Sequence, residues 1–169
     1  MDNHQLADIS RDQLNRVLGF FSRVDTVSSI VLGIDIGMLA ILATNAPPTR
    51  AFSWYTLTAA VVPVLLLAKS LLHIYQGSFP RLAGGWISLI YFREIAVRKE
   101  DEFIREFTTQ SEDAHIKDLL SQVWRNSEIL TEKFNHLKSA FVWLGWALIP
   151  WLICLYLFAS EHTETLFAK

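Results

Sequence analysis

Cysteine is almost absent from this 169-residue chain. The single thiol, Cys154, excludes an intramolecular disulfide and leaves no thiolate cluster for a structural metal. There is no GxxxxGK loop to cradle a nucleoside triphosphate and no HExxH pair to hold a catalytic zinc. His115 and His136 lie too far apart on one helix to share an ion. A dominant charge is missing as well. The chain has 15 Lys and Arg against 17 Asp and Glu, a formal net charge of −2. Acids alternate with bases as on a solvated face, which argues against a nucleic-acid polymer as partner and gives no catalytic constellation. No cleavable leader is expected, because the first apolar run follows a long polar segment and precedes no small-residue cleavage pattern. The reading is therefore not an enzyme and not a metalloprotein.

What the chain does contain is apolar sequence, 51% of residues, gathered into runs. Val27 to Ala46, Trp54 to Ile74 and Ala140 to Ala159 are each long enough for the ~20 residues of helix that cross a hydrocarbon core. Arg11, Arg16 and Arg23 precede the first run, and a series of bases from Arg81 to Lys138 separates the second from the third. Only Arg50 and Lys169 fall on the other side. The excess of bases predicts a cytoplasmic N-terminus and a cytoplasmic central segment. The expected organisation is an all-α membrane protein with a cytosolic amphipathic helix over 1–26 and a two-helix transmembrane hairpin over 27–75. A cytosolic helical module then covers 76–139, a third span 140–159 and an outer tail 160–169.

The third run continues a long helical pattern that begins near Ser111, a plausible N-cap followed by Glu112 and Asp113. Val123, Ser127, Leu130, Phe134, Leu137, Phe141, Leu144 and Leu148 recur four and three residues apart, the a/d spacing of a coiled-coil seam. Such a rod, on the order of 70 Å long, would tie the cytosolic module to the membrane. A seam with no evident partner in so small a chain predicts a homo-oligomer. The plainer alternative is an amphipathic helix packing on its own neighbours ahead of an unrelated anchor.

In the first span Ser29, Gly33 and Gly37 form a small-residue stripe suited to close helix packing. Asp35 sits between the glycines but off their face. A mid-bilayer carboxylate costs at least ~2.5–3.5 kcal/mol, so it calls for a partner, water or neutralisation. Lys69 in the second span is the candidate partner, unless it snorkels to the interface beside His73. Pro63 removes a backbone donor and predicts a bend. Asn45-Ala-Pro-Pro-Thr reads as an outer turn, and Pro80-Arg81 with Gly84-Gly85 as the exit from the membrane. In WISLIYFREIAV helix and strand are not separable by pattern, and Lys99 to Phe107 reads as a short charged helix. Arg93 and Arg125, each among apolar or aromatic neighbours, are the candidates to bind a small anion; otherwise they are structural.

SLIYFREIA, EDEFIREF and DLLSQVWRNSEILTEKFNHLKSAF, the last leading into the third span, resemble the transmembrane effector family of bacterial Pycsar antiphage systems. GIDIGMLAIL resembles that family's N-terminal hairpin, with departures: Val27 stands where a Lys is usual and Asp35 where an Asn is usual. The first departure leaves no role for that lysine here, and the second makes Asp35 a local feature. The resemblance implies a partner pyrimidine nucleotide cyclase that produces cyclic CMP or cyclic UMP. It further implies a response by this chain that damages the bacterial inner membrane and halts growth. No other cofactor is implied. Related membrane segments accompany hydrolase-like domains, so a membrane anchor or adaptor subunit for a soluble enzyme is the second reading.

Overall fold

The computed structural model describes residues 2–47, 54–79 and 87–167. Among the described residues five helices follow one another: α1 (Asn3–Asn45), α2 (Trp54–Ser78), α3 (Phe92–Ala96), α4 (Glu100–Thr109) and α5 (Glu112–Phe167). No strand occurs among the described residues, and SLIYFREIA resolves into a bent, irregular segment followed by the short helix α3. Arg50, Pro48-Thr49, Pro80-Arg81 and Gly84-Gly85, read above as loop, lie outside the described residues.

Helix continues through two of the expected boundaries. The amphipathic lead-in and the first span are one helix, α1, because no Gly or Pro interrupts the pattern at residue 26. The tail after residue 159 likewise remains helical to Phe167. At 1.5 Å per residue the 56 residues of α5 extend about 84 Å. α1, α2 and α5 are each long and apolar enough to cross a membrane, which agrees with a multi-pass protein.

The chain divides into two compact units, Met1–Val24 with Phe79–Lys133, and Asp25–Ser78 with Phe134–Lys169. In the first, the start of α1 buries Ser10, Leu14 and Val17, and α5 buries Ile116, Leu119 and Leu130. The start of α5 is capped as the sequence predicts, Ser111 Oγ accepting from the Ala114 amide at 3.3 Å. Glu100, Asp101 and Glu102 place negative charge in the first turn of α4, where the helix dipole favours it.

The second unit is built from three helices that share one spacing. α1 buries Val31, Asp35, Met38 and Leu42; α2 buries Thr56, Pro63, Leu67, Ser70 and Ile74; α5 buries Leu137, Ala140, Leu144, Ala147, Cys154 and Phe158. The steps of three, four and seven are those of left-handed helix packing. Leu42, Cys154 and Phe158 form a cluster against which Ala46, Ala60, Trp151 and Leu155 pack. Outward lie Ile34, Ile36, Leu65, Ile149 and Leu152, an apolar exterior suited to lipid rather than water.

The seam read from spacing divides, within the single chain, into an inward and an outward part. Leu130, Leu137 and Leu144 are buried, but within the chain; Phe134, Phe141 and Leu148 are 45%, 48% and 47% exposed, and Val123 and Ser127 are only half-buried. The row that packs inward beside the leucines is Ala140, Ala147 and Cys154. Between helices in lipid, large apolar side chains gain nothing over contact with acyl chains, whereas small ones let backbones approach. Bulk therefore went outward.

Candidate functional site

The interior of the three-helix unit is apolar apart from a few groups, Asp35, Thr56, Ser70 and Glu161 among them, and Asp35 and Ser70 lie together. Asp35 on α1 is fully buried and Ser70 on α2 is fully buried beside it. Ser70 Oγ lies 2.7 Å from Asp35 Oδ2 and 3.1 Å from the Ala140 carbonyl oxygen of α5. One hydroxyl thus touches all three helices. The other carboxyl oxygen, Oδ1, is buried with no hydrogen-bond partner. No imidazole reaches Ser70 among the described residues, so the group lacks the base of a nucleophilic serine. What it can do is hold a hydrogen-bonded polar contact in the middle of an apolar bundle.

Two more polar contacts belong to this unit. His73, one turn from Ser70 on α2, faces His136 of α5 with ring centroids 5.8 Å apart, and its Nδ1 is buried without a partner. Farther along, the Trp151 indole donates to the Met38 carbonyl at 3.0 Å. Lys69 is exposed and forms no pair with Asp35, as a snorkelling lysine would be. The Ser29, Gly33 and Gly37 stripe is not used inside the chain: Ser29 and Gly33 are exposed, and a Cβ at either glycine would meet nothing within 4 Å.

In the first unit the arginine that matters for structure is Arg98. Its Nε donates to Glu106 at 3.1 Å, and one terminal nitrogen donates to the carbonyls of Ser88 at 3.1 Å and Glu94 at 2.6 Å. Ser88, also buried, accepts at Oγ from the amides of Ile90 and Tyr91 and from Gln122 Nε2 of α5. The Leu89 amide donates to Asp118 at 2.8 Å. These contacts fasten the segment before α3 onto α5. Arg93 is exposed, and Arg125 pairs with Glu128 at 3.1 Å in a partly exposed i,i+3 contact. A cleft of about 280 Å³ lies between α1 and the start of α5, lined by His4, Asp8, Arg11, Phe107, Glu112 and His115 among others. Its two carboxylates outnumber its one guanidinium, a poor balance for a phosphate.

Reasoning from sequence singled out Asp35 but missed Ser70, Arg98 and the His73–His136 pair. Ser70 did have a signal: it falls on the Pro63, Leu67, Ser70, Ile74 row, a polar residue in an apolar stripe. For the histidines and Arg98 no local pattern marks the partner.

No curated protein and no solved structure matches the chain. A family does, PycTM, the Pycsar effector protein domain, over residues 9–160, a stretch that takes in both units and the apolar parts of all three long helices. The chain belongs to the PycTM family of Pycsar effector proteins.

Proposed function

We propose that this antiphage membrane effector responds to a cyclic pyrimidine mononucleotide, cyclic CMP or cyclic UMP, and then impairs the bacterial inner membrane. The nucleotide comes from a paired pyrimidine nucleotide cyclase. The observation that carries the reading is the family match over 9–160. The N-terminus and the central segment are cytoplasmic, a reading supported by the bases between Arg81 and Lys138. α1 and α2 form a hairpin, supported by contacts that step from Asp35 to Leu42 on α1 while those on α2 step from Ser70 back to Ala60.

The cyclic phosphate, a monoanion, needs a charge-assisted donor. Arg93 and Arg125 are the residues we assign. An exposed pair such as Arg125–Glu128 is worth at most ~1 kcal/mol, so a phosphate can replace the carboxylate at little cost. A homo-oligomer forms through faces left open in the single chain, the Phe134, Phe141, Leu148 row and the Gly33, Gly37 stripe. Phe134→Ala with Phe141→Ala then lowers the mass read by light scattering in detergent. Rearrangement of the spans exposes Asp35, and with it a polar path; Lys69 stands at the same end of the unit as its exposed cation.

Dye and ion release from liposomes tests the function. Release on adding cyclic CMP or cyclic UMP is expected, and Asp35→Leu should insert but stay silent. No release with either nucleotide, together with stable co-purification of a soluble enzyme, would make the chain an anchor subunit instead.

A further inference from the structure

We propose that Asp35, Ser70 and the Ala140 carbonyl form a binding site for one proton, carried on Asp35 as the neutral acid in the folded protein. The argument is a count of hydrogens. Ser70 Oγ has two oxygen neighbours at hydrogen-bonding distance, Asp35 Oδ2 at 2.7 Å and Ala140 O at 3.1 Å. A serine hydroxyl has one hydrogen, a peptide carbonyl has none, and an ionised carboxylate has none. With Asp35 ionised, one of these two contacts would set lone pair against lone pair. A proton on Asp35 Oδ2 completes the set: Oδ2–H donates to Ser70 Oγ, and the Ser70 hydrogen goes to Ala140 O. The chain of donors then runs in one direction through α1, α2 and α5.

Charge points the same way. Around the carboxyl, α2 contributes Lys69 and His73, and α5 contributes His136 and Lys138. Lys69 and Lys138 are exposed, the two imidazoles face each other, and Ser70 is the only hydrogen-bonding partner of Asp35 among the described residues. An ionised carboxylate buried with one shared donor and no cation is expensive; a neutral acid leaves only a carbonyl-like Oδ1 unpaired. The bound proton therefore links the three helices, and its departure sets two acceptors competing for one hydrogen. The proposal does not depend on the cyclic-nucleotide reading.

Infrared spectroscopy of the full chain in lipid at neutral pH tests it without any ligand. Wild type minus Asp35→Asn should show the carbonyl stretch of a protonated carboxyl, absent from the variant. Ser70→Ala should shift that band to higher frequency, since its hydrogen bond is gone. Asn keeps an N–H where the acid has its O–H, so Asp35→Asn should melt at the wild-type temperature. Unchanged amide absorption in both variants would show that the helices are intact. A difference spectrum with carboxylate stretches in place of the acid band would overturn the proposal, as would an acid band that ignores Ser70→Ala.

Discussion

The indole N–H of Trp151 donates to the Met38 carbonyl at 3.0 Å across 113 positions of sequence. The carbonyl belongs to α1 and has a second lone pair free beyond its helical bond, and the indole comes from the stripe of α5 that packs on Leu42. Away from water there is no competing acceptor, so the contact adds a direction to packing that is otherwise apolar. Trp151→Phe keeps an aromatic ring and removes the donor. It should destabilise the protein in detergent by about 0.5–1 kcal/mol, read as a lower melting temperature.

Neighbouring residues on α5 should respond in opposite ways to a change of volume. Ala147 is fully buried while Leu148 is 47% exposed. Ala147→Leu forces apart closely packed helices, and overpacking of that kind costs roughly 1–3 kcal/mol. Leu148→Ala removes more atoms, yet should move the melting temperature of the single chain little. Parallel thermal melts of the two variants in one detergent make the comparison.

Arg98 fixes the segment before α3 by its fork of donors rather than by charge alone. Lysine keeps the charge but presents one nitrogen, which cannot serve Glu106 and two carbonyls in the same geometry. Arg98→Lys should therefore lose about 1–3 kcal/mol. Amide hydrogen exchange would show the loss as faster exchange at Ile90, Tyr91 and Leu89, leaving Val31 and Met38 in the other unit unaffected.

Ile87 is the one non-glycine residue of positive φ, 67°, among the described residues, a conformation in which a β-branched side chain is strained. Its side chain is 82% exposed, so little burial is lost on removing it. Its amide stands 3.4 Å from Glu94 Oε2 and would remain there. Ile87→Gly should raise stability by about 1 kcal/mol, measured by denaturant midpoint at unchanged slope.

The three apolar runs, the cap at Ser111 and the charged helix before it were legible in the sequence. Length, hydropathy and caps act over a few residues, and in lipid the backbone has few choices besides helix. The sequence also marked Asp35, because a carboxyl in an apolar run is costly wherever it faces. It did not say which face packs inward. Two rows on α5 have the same spacing, one adding Phe134, Phe141 and Leu148 to the leucines, the other Ala140, Ala147 and Cys154. Periodicity alone cannot rank them, and intuition formed on water-soluble cores prefers the larger side chains. Only the assembled helices settled it, since close approach between backbones rewards the small row and lipid accepts the large one. The partner of Asp35 was decided the same way. Lys69 and Ser70 are adjacent in sequence but point about 100° apart on α2, and the rotation of that helix about its axis put the hydroxyl, not the ammonium, against the carboxyl.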